Sequence, residues 1–320
     1  MKTAVLGLWH VHAEGYFKTC AQKSDVIGVY DTDSERLKSF CEKHNVPAFG
    51  TFEELLKSEA EGVIVCTSTS SHVDYMIKLA GAKKHIFTEK VLALTSEDCE
   101  KISEAVRQNK VDFVISYPQK SSGINIYVKN ILESGTLGKI NYLRFRNVHS
   151  GSIQNWLPSH FYNKQECGGG AMIDLGAHGM YLIDWFLGEP DGYNSIFTVS
   201  YEASGKNLDK VEDNAVTVMT YKNGCIAINE TGFVSSSYPM SLEIGGENGY
   251  FRWDSKVGIT FVVNGKPREV IIPPNNRDPL ESFLNREIPN GCTINDAIRL
   301  TKMMERAYAA SDNTLSVGRE

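Results

Sequence analysis

The opening third of the chain alternates short β-branched runs with amphipathic stretches, and this alternation restricts the fold more than any other feature. Strands are expected at Thr3 to Leu6, Val26 to Tyr30, Gly62 to Cys66, His85 to Thr88 and Asp112 to Ser116. Helical stretches lie between them, among them Ser34 to Lys43, His72 to Ala80 and Ser96 to Gln108. Leu37, Phe40 and Cys41 recur at helical spacing. Strand and helix in repeated succession predict parallel βαβ units.

From about Lys139 the grammar changes. Long β-rich runs follow at Ile140 to His149, Ser195 to Tyr201, Ala215 to Tyr221, Cys225 to Phe233, Ser241 to Ile244 and Ile259 to Val263. Asn223-Gly224, Asn248-Gly249 and Asn264-Gly265 separate several of them, as tight hairpins require. The fold class is therefore α/β, with a Rossmann-type dinucleotide-binding domain over 1–119. An α+β domain with an open, largely antiparallel sheet is expected over 120–320, and a helix from Asp296 to Ala310 closes the chain. The boundary falls near Tyr117 to Ser122, where Pro118 breaks the last parallel strand.

Composition narrows the partners. A chain of 320 residues with a formal net charge of -6 gains no attraction to nucleic acid or to an acidic membrane, so a small molecule is the expected ligand. The seven cysteines are scattered without a C-x-x-C pair, which reads as reduced thiols in a cytoplasmic protein. The first strand starts at once, leaving no room for a signal peptide. No apolar run approaches the roughly 20 residues that span a bilayer.

Chemistry is concentrated in three places. Gly168-Gly169-Gly170 leads into a helix carrying Asp174 and His178 four residues apart, hence on one face. An imidazole beside a carboxylate can take a proton from a substrate hydroxyl and hold the charge. A buried helix with a surface ion pair would show the same pattern. Thr88-Glu89-Lys90 places a lysine at the end of a strand, as a catalytic ammonium or as an ion-pair partner at a domain seam. Gly7-Leu8-Trp9-His10-Val11-His12 follows the first strand, where a dinucleotide turn would read G-x-G-x-x-G, and keeps only the first glycine. Asp31 ends the second strand, where a carboxylate can bond both ribose hydroxyls of NAD and repel the 2'-phosphate of NADP. The His10-Val11-His12 pair would also suit a metal-dependent barrel hydrolase. That fold needs further ligand histidines at later strand ends and continued βα alternation, and neither is present, so no metal is expected.

Together these blocks resemble the Gfo/Idh/MocA oxidoreductases. Thr67 to His72 resembles the T-P-N-x-x-H turn, Glu89-Lys90-Val91 the E-K-P motif, and Gly168 through Asp174 and His178 the G-G-G-x-x-x-D-x-G-x-H helix. The resemblance extends over essentially the whole chain. It implies a nicotinamide cofactor and oxidation or reduction of a sugar, polyol or related hydroxyl compound. It makes Lys90, Asp174 and His178 the catalytic set, with His178 the base, Asp174 its orienting acid and Lys90 the ammonium beside nicotinamide and substrate. It places Gly7, Trp9, His10, Val11, Asp31, Thr67, Ser68, His72, Glu89 and Lys90 around the cofactor, with NAD(H) favoured over NADP(H).

The departures from the family pattern are specific. Trp9 and His12 stand at the second and third glycine positions, so either Trp9 turns outward and the turn opens, or cofactor affinity falls. Val91 and Ser68 replace prolines, the first removing a restriction on Lys90. Tyr181 stands where an acid often follows the histidine and is taken as neutral for the chemistry. For the substrate, Tyr117, Gln119, Asn155, Trp156 and His160 offer aromatic faces with polar groups that suit a polyhydroxylated ligand. An NAD-using lyase or glycosidase without net redox change and a non-catalytic NAD-binding sensor are the other readings. The open sheet suggests a homodimer or homotetramer.

Overall fold

The computed structural model describes residues 1–201, 203–237, 239–311 and 315–316. The chain divides into two compact units, Met1–Pro118 with Arg277–Thr301, and Gln119–Asn276 with the chain from Lys302 onward. None of the seven cysteines forms a disulfide, and six are buried. Among the described residues no helix is long and apolar enough to cross a membrane.

The first unit carries a parallel sheet of β1 (Lys2–Leu6), β2 (Asp25–Tyr30), β3 (Gly62–Val65), β4 (His85–Thr88) and β5 (Phe113–Ile115), in the order β2-β1-β3-β4-β5. The helices between them are α1 (Ala13–Lys23), α2 (Ser34–His44), α3 (Phe52–Lys57), α4 (His72–Gly81) and α5 (Ser96–Asn109). Residues 63–65 of β3 and Ile86 and Phe87 of β4 have no exposed surface. Each such side chain contributes about 1.5–3 kcal/mol of burial, which is why the middle of each strand reads as apolar. Thr95 starts α5 by accepting the Asp98 amide at 3.1 Å, and Asp33 starts α2 by accepting the Arg36 amide at 3.0 Å. The strand order reverses at β1 and β3, so the crevice beyond their carboxyl ends is where an α/β sheet of this kind binds ligands.

The second unit opens with α6 (Gly123–Glu133) and β6 (Ile140–Val148). Then come three helices, α7 (Lys164–Cys167), α8 (Ala171–Asp174) and α9 (Gly176–Leu187). The remaining strands are β7 (Gly192–Val199), β8 (Asn214–Thr220), β9 (Ile226–Gly232), β10 (Met240–Gly246), β11 (Gly249–Asp254), β12 (Gly258–Val263), β13 (Lys266–Pro267) and β14 (Leu315–Ser316). They form a mixed, mostly antiparallel sheet in the order β13-β12-β11-β10-β6-β9-β8-β7-β14, parallel at β6–β9 and β7–β14. The three Asn-Gly pairs occupy the β8–β9, β10–β11 and β12–β13 links. Helix α9 lies against β6 and β9, and Gly179 permits that approach because a Cβ there would meet Asn229 Oδ1 at 2.0 Å.

The chain then returns to the first unit with α10 (Pro279–Leu284), capped by Asp278, and with the start of α11 (Ile294–Ala309). Phe283 reaches Phe87 with ring centroids 5.9 Å apart, and Arg286 pairs with Asp112 at 2.8 Å.

Candidate active site

The turn after β1 keeps the backbone of a nucleotide turn despite its altered residues. Gly7 has φ +86°, and a Cβ there would meet Thr67 at 2.5 Å, so both conformation and space demand glycine. The Gly7 amide donates to the Tyr30 carbonyl at 2.7 Å and the His10 amide to the Cys66 carbonyl at 3.0 Å, tying the turn to the ends of β2 and β3. Trp9 is half-buried, Val11 is exposed, and α1 starts at Ala13 directly beyond them. Asp31 is buried and accepts the Leu8 amide of the same turn. A glycine of this geometry below a helix N-terminus, with a carboxylate at the end of the next strand, fits a dinucleotide.

Asp31 has a second partner that sequence reasoning missed. Arg36 bonds both carboxylate oxygens, Nη2 to Oδ1 at 2.7 Å and Nε to Oδ2 at 3.2 Å. The signal was available, since Arg36 stands in the first turn of α2 behind the Asp33 cap, which aims its side chain back toward the end of β2. The guanidinium offsets the acid's charge at the end of β2.

The end of β4 holds a buried anion. Glu89 accepts the Lys90 amide at 3.1 Å on Oε2, and its Oε1 accepts the Tyr16 hydroxyl and lies 2.7 Å from His12 Nδ1. Burial opposes ionisation of Glu89, but the charges and hydrogen bonds of His10, His12 and Lys90 outweigh it and hold the carboxyl well below the usual range. His10, His12 and Glu89 each bring one possible ligand atom within 4.8 Å of the others, and His12 Nδ1 is hydrogen-bonded with Glu89 Oε1. Lys90 is buried, and the Lys90-Val91 peptide is cis. Thr67 and Ser68 are half-buried beside the short helical turn Thr69–Ser71. His72 begins α4 with Nδ1 3.0 Å from the Leu92 carbonyl, and burial holds its pKa below the ordinary value. Gly7, His10, Asp31, Thr67, His72, Glu89 and Lys90 thus all belong to the first unit's strand ends and the turns that follow them.

In the second unit the glycine run is built around a buried acid. Glu212 Oε1 accepts the amides of Gly170 and Met172, each at 3.0 Å, and the Tyr308 hydroxyl at 2.6 Å. Its carbonyl accepts the Ala171 amide at 2.8 Å. A Cβ on Gly169 would meet Tyr308 Oη at 2.0 Å and one on Gly170 the Glu212 carbonyl oxygen at 2.0 Å, so these glycines exist for close approach. Burial pushes the Glu212 carboxyl up, while the hydroxyl and amide hydrogen bonds oppose the shift.

The single helix expected to carry Asp174 and His178 is divided. Asp174 ends α8, His178 lies in α9, and Leu175 between them keeps helical angles. The Asn147 amide reaches the Leu175 carbonyl at 3.4 Å and the Asn229 amide the Gly176 carbonyl at 2.8 Å, so side chains from β6 and β9 take the carbonyls at the break. His178 Nδ1 lies 2.8 Å from Tyr181 Oη, which also accepts the Gln119 amide at 3.3 Å. Lys120 is buried with its ammonium 5.8 Å from the Tyr181 ring centroid. Tyr181, taken from sequence as neutral, is therefore a partner of the histidine. Gln119 is drawn to that cluster as well.

The other expected substrate residues are dispersed. Tyr117 is completely buried in the first unit, its hydroxyl 3.5 Å from the Asp296 carbonyl, a core position rather than a ligand surface. Asn155 and Trp156 are exposed, with Trp156 against the His149 ring at 4.6 Å. His160 is half-buried, its carbonyl taken by the Cys167 thiol.

A parallel sheet of this order, with its glycine turn and strand-end acid, defines a dinucleotide-binding α/β protein. The chain belongs to the Gfo/Idh/MocA oxidoreductases: residues 1–117 match the oxidoreductase family's NAD-binding Rossmann fold, and 126–252 match the GFO/IDH/MocA C-terminal domain. It is similar to myo-inositol 2-dehydrogenase of Thermotoga maritima, 25% identical over 271 residues, covering 82% of this chain and 78% of that protein. Among solved structures it resembles aldose-aldose oxidoreductase from Caulobacter crescentus complexed with glycerol, with TM-score 0.80, 20% identity and 97% of each chain covered. It also resembles levoglucosan dehydrogenase in complex with NADH and levoglucosan, with TM-score 0.80, 15% identity and 97% and 96% covered.

Proposed function

We propose that the chain is a dehydrogenase that moves a hydride between a nicotinamide dinucleotide, NAD(H) in preference to NADP(H), and a CH–OH carbon of a sugar, polyol or related compound. The observation that carries this reading is the buried Glu89-Lys90 pair at the end of β4, in the same unit as the Gly7 turn and Asp31. The names of the relatives, an inositol and a levoglucosan dehydrogenase, support the substrate class. In this reading 1–119 hold the cofactor, with the returning 277–301 in the same unit, and the rest of 120–320 holds the substrate and an oligomer interface.

When bound, the dinucleotide supplies the hydride acceptor or donor. Gly7, Trp9, His10, Val11, Thr67, Ser68, His72 and Glu89 would hold it, with Asp31 on the ribose hydroxyls. His178 takes the hydroxyl proton, and since Nδ1 is engaged by Tyr181, the base is Nε2. Asp174 favours the charged imidazole. The Lys90 ammonium stabilises the oxygen as it gains negative charge. Glu89, kept ionised, neutralises that ammonium's charge in the absence of substrate. Exposed Ile196, Ile226, Tyr250 and Ile259 on the sheet favour a homo-oligomer, and undisulfided cysteines favour a cytoplasmic location.

The test is NADH formation by purified protein with NAD and a panel of cyclitols, aldoses and anhydrosugars. Turnover of at least one member, lost in Lys90→Ala and in His178→Ala, is expected. Turnover that survives both substitutions overturns the assignment of roles.

A further inference from the structure

We propose that Tyr181 is the positioning residue that sets which nitrogen of His178 carries the proton, a role that rests on His178 being the base. The family pattern has an acid at this place, and a carboxylate can only accept a hydrogen bond. It would pin a proton on Nδ1 and draw positive charge onto the ring. A phenol differs because it has one proton to give and two lone pairs to receive.

The geometry limits how Tyr181 can use them. The Gln119 amide donates to Oη at 3.3 Å and takes one lone pair. His178 Nδ1 lies 2.8 Å away, close enough for either direction of donation. With Nδ1–H donating to the second lone pair, Nε2 is unprotonated and ready to accept the proton of a substrate hydroxyl. With the phenol donating to Nδ1, Nε2 carries the proton and presents a donor to a carbonyl oxygen. A neutral imidazole can thus be held ready for oxidation or for reduction without storing charge.

Two features hold the phenol in place. Tyr181 is 2% exposed on α9, and Lys120, also buried, puts its ammonium 5.8 Å from the centroid of the ring. Among the described residues of this unit, Asp174 stands four positions before His178 and the Lys120 ammonium lies across the Tyr181 ring. They are opposite in sign, and the phenol at Nδ1 is a partner that adds no further carboxylate charge beside the ring.

The experiment compares wild type with Tyr181→Phe, in which the ring is kept and only the hydroxyl is removed. Isotope-edited NMR of the histidine ring nitrogens reads the His178 tautomer without need of a substrate. The pH profile of kcat/KM then reads its titration. The expected result is a changed tautomer ratio, a displaced acid limb and a fall in kcat of roughly tenfold to a hundredfold with the substrate KM nearly unchanged. An unchanged tautomer ratio together with an unchanged pH profile overturns the proposal. Should Tyr181→Phe not fold, a ring-fluorinated tyrosine at 181 makes the phenol more acidic at nearly constant shape. The acid limb should then move, and its failure to move is equally contrary. His178→Ala separates the two readings: undiminished turnover in that variant removes the base assignment, while the tautomer comparison still decides whether Tyr181 governs the ring.

Discussion

Replacing Gly170 by alanine probes how the helix bearing Asp174 is held. The new methyl would lie 2.0 Å from the Glu212 carbonyl oxygen and 3.0 Å from its carbon, so the two backbones must separate by roughly an ångström or more. That movement strains the Ala171 amide bond to the same carbonyl and the Gly170 and Met172 amides on the Glu212 carboxylate. Overpacking a tight site costs about 1–3 kcal/mol and each of the three weakened hydrogen bonds about 1 kcal/mol, giving on the order of 4–6 kcal/mol. For a unit of this size the loss lowers Tm by roughly 10–20 °C. Gly15→Ala is the control: it lies exposed in α1 with nothing within 4 Å of its Cβ, and should be neutral or stabilising by up to about 1 kcal/mol. Differential scanning calorimetry of the three proteins reads the comparison. A Gly170→Ala protein melting within about 2 °C of wild type would show that the run does not need glycine for close approach.

Three further outcomes are expected. Arg36→Ala releases the Asp31 carboxylate from its guanidinium and should move the NAD-to-NADP ratio of Kd toward NAD by roughly tenfold, read by calorimetric titration; equal change for both cofactors would deny Arg36 a place at the ribose. Lys90→Ala should lower kcat/KM a hundredfold or more while Tm holds, whereas a fall in Tm matching that of Gly170→Ala would mark Lys90 as the structural counter-ion of Glu89. Acid should destabilise the first unit. The folded pKa of His72 lies below its ordinary 6.5 and that of Glu89 below 4.5, so both contributions are full above those values and are lost as pH falls through the folded ones. Glu212 has the opposite sign, its raised pKa favouring the fold most below 4.5. Calorimetry against pH should show the first unit's Tm declining from about pH 6.5 downward; burial also lowers the His85 pKa, so His72→Asn should flatten the upper part of that slope without abolishing it.

The parallel sheet was legible because its inner strands are buried on both faces. Residues 63–65 and 86–87 read as apolar, and every first-unit strand lies within two residues of its expected bounds. The Asn-Gly pairs located hairpins for the same local reason. The break at Leu175 was not legible, since it depends on Asn147 and Asn229, which arrive from strands far along the chain. Glu212 likewise meets the glycine run from 42 residues away, and Tyr308 meets Glu212 from 96, with no periodicity to announce them. The return of Arg277–Thr301 to the first unit also has no local signature. Arg36 is a different case, because its place behind the Asp33 cap already directed it toward Asp31. Tyr181 was visible as a departure from the family pattern, but its consequence needed the 2.8 Å approach to His178.

The most direct measurement is calorimetric titration of the purified, folded and cofactor-stripped protein with NAD, NADH, NADP and NADPH, repeated on Asp31→Ala. A dinucleotide-dependent dehydrogenase of this kind should bind NAD(H) ahead of NADP(H), with Asp31→Ala weakening NAD(H) more. Absence of binding by all four would contradict the proposed activity and point to a turn that Trp9 and His12 have closed to the cofactor.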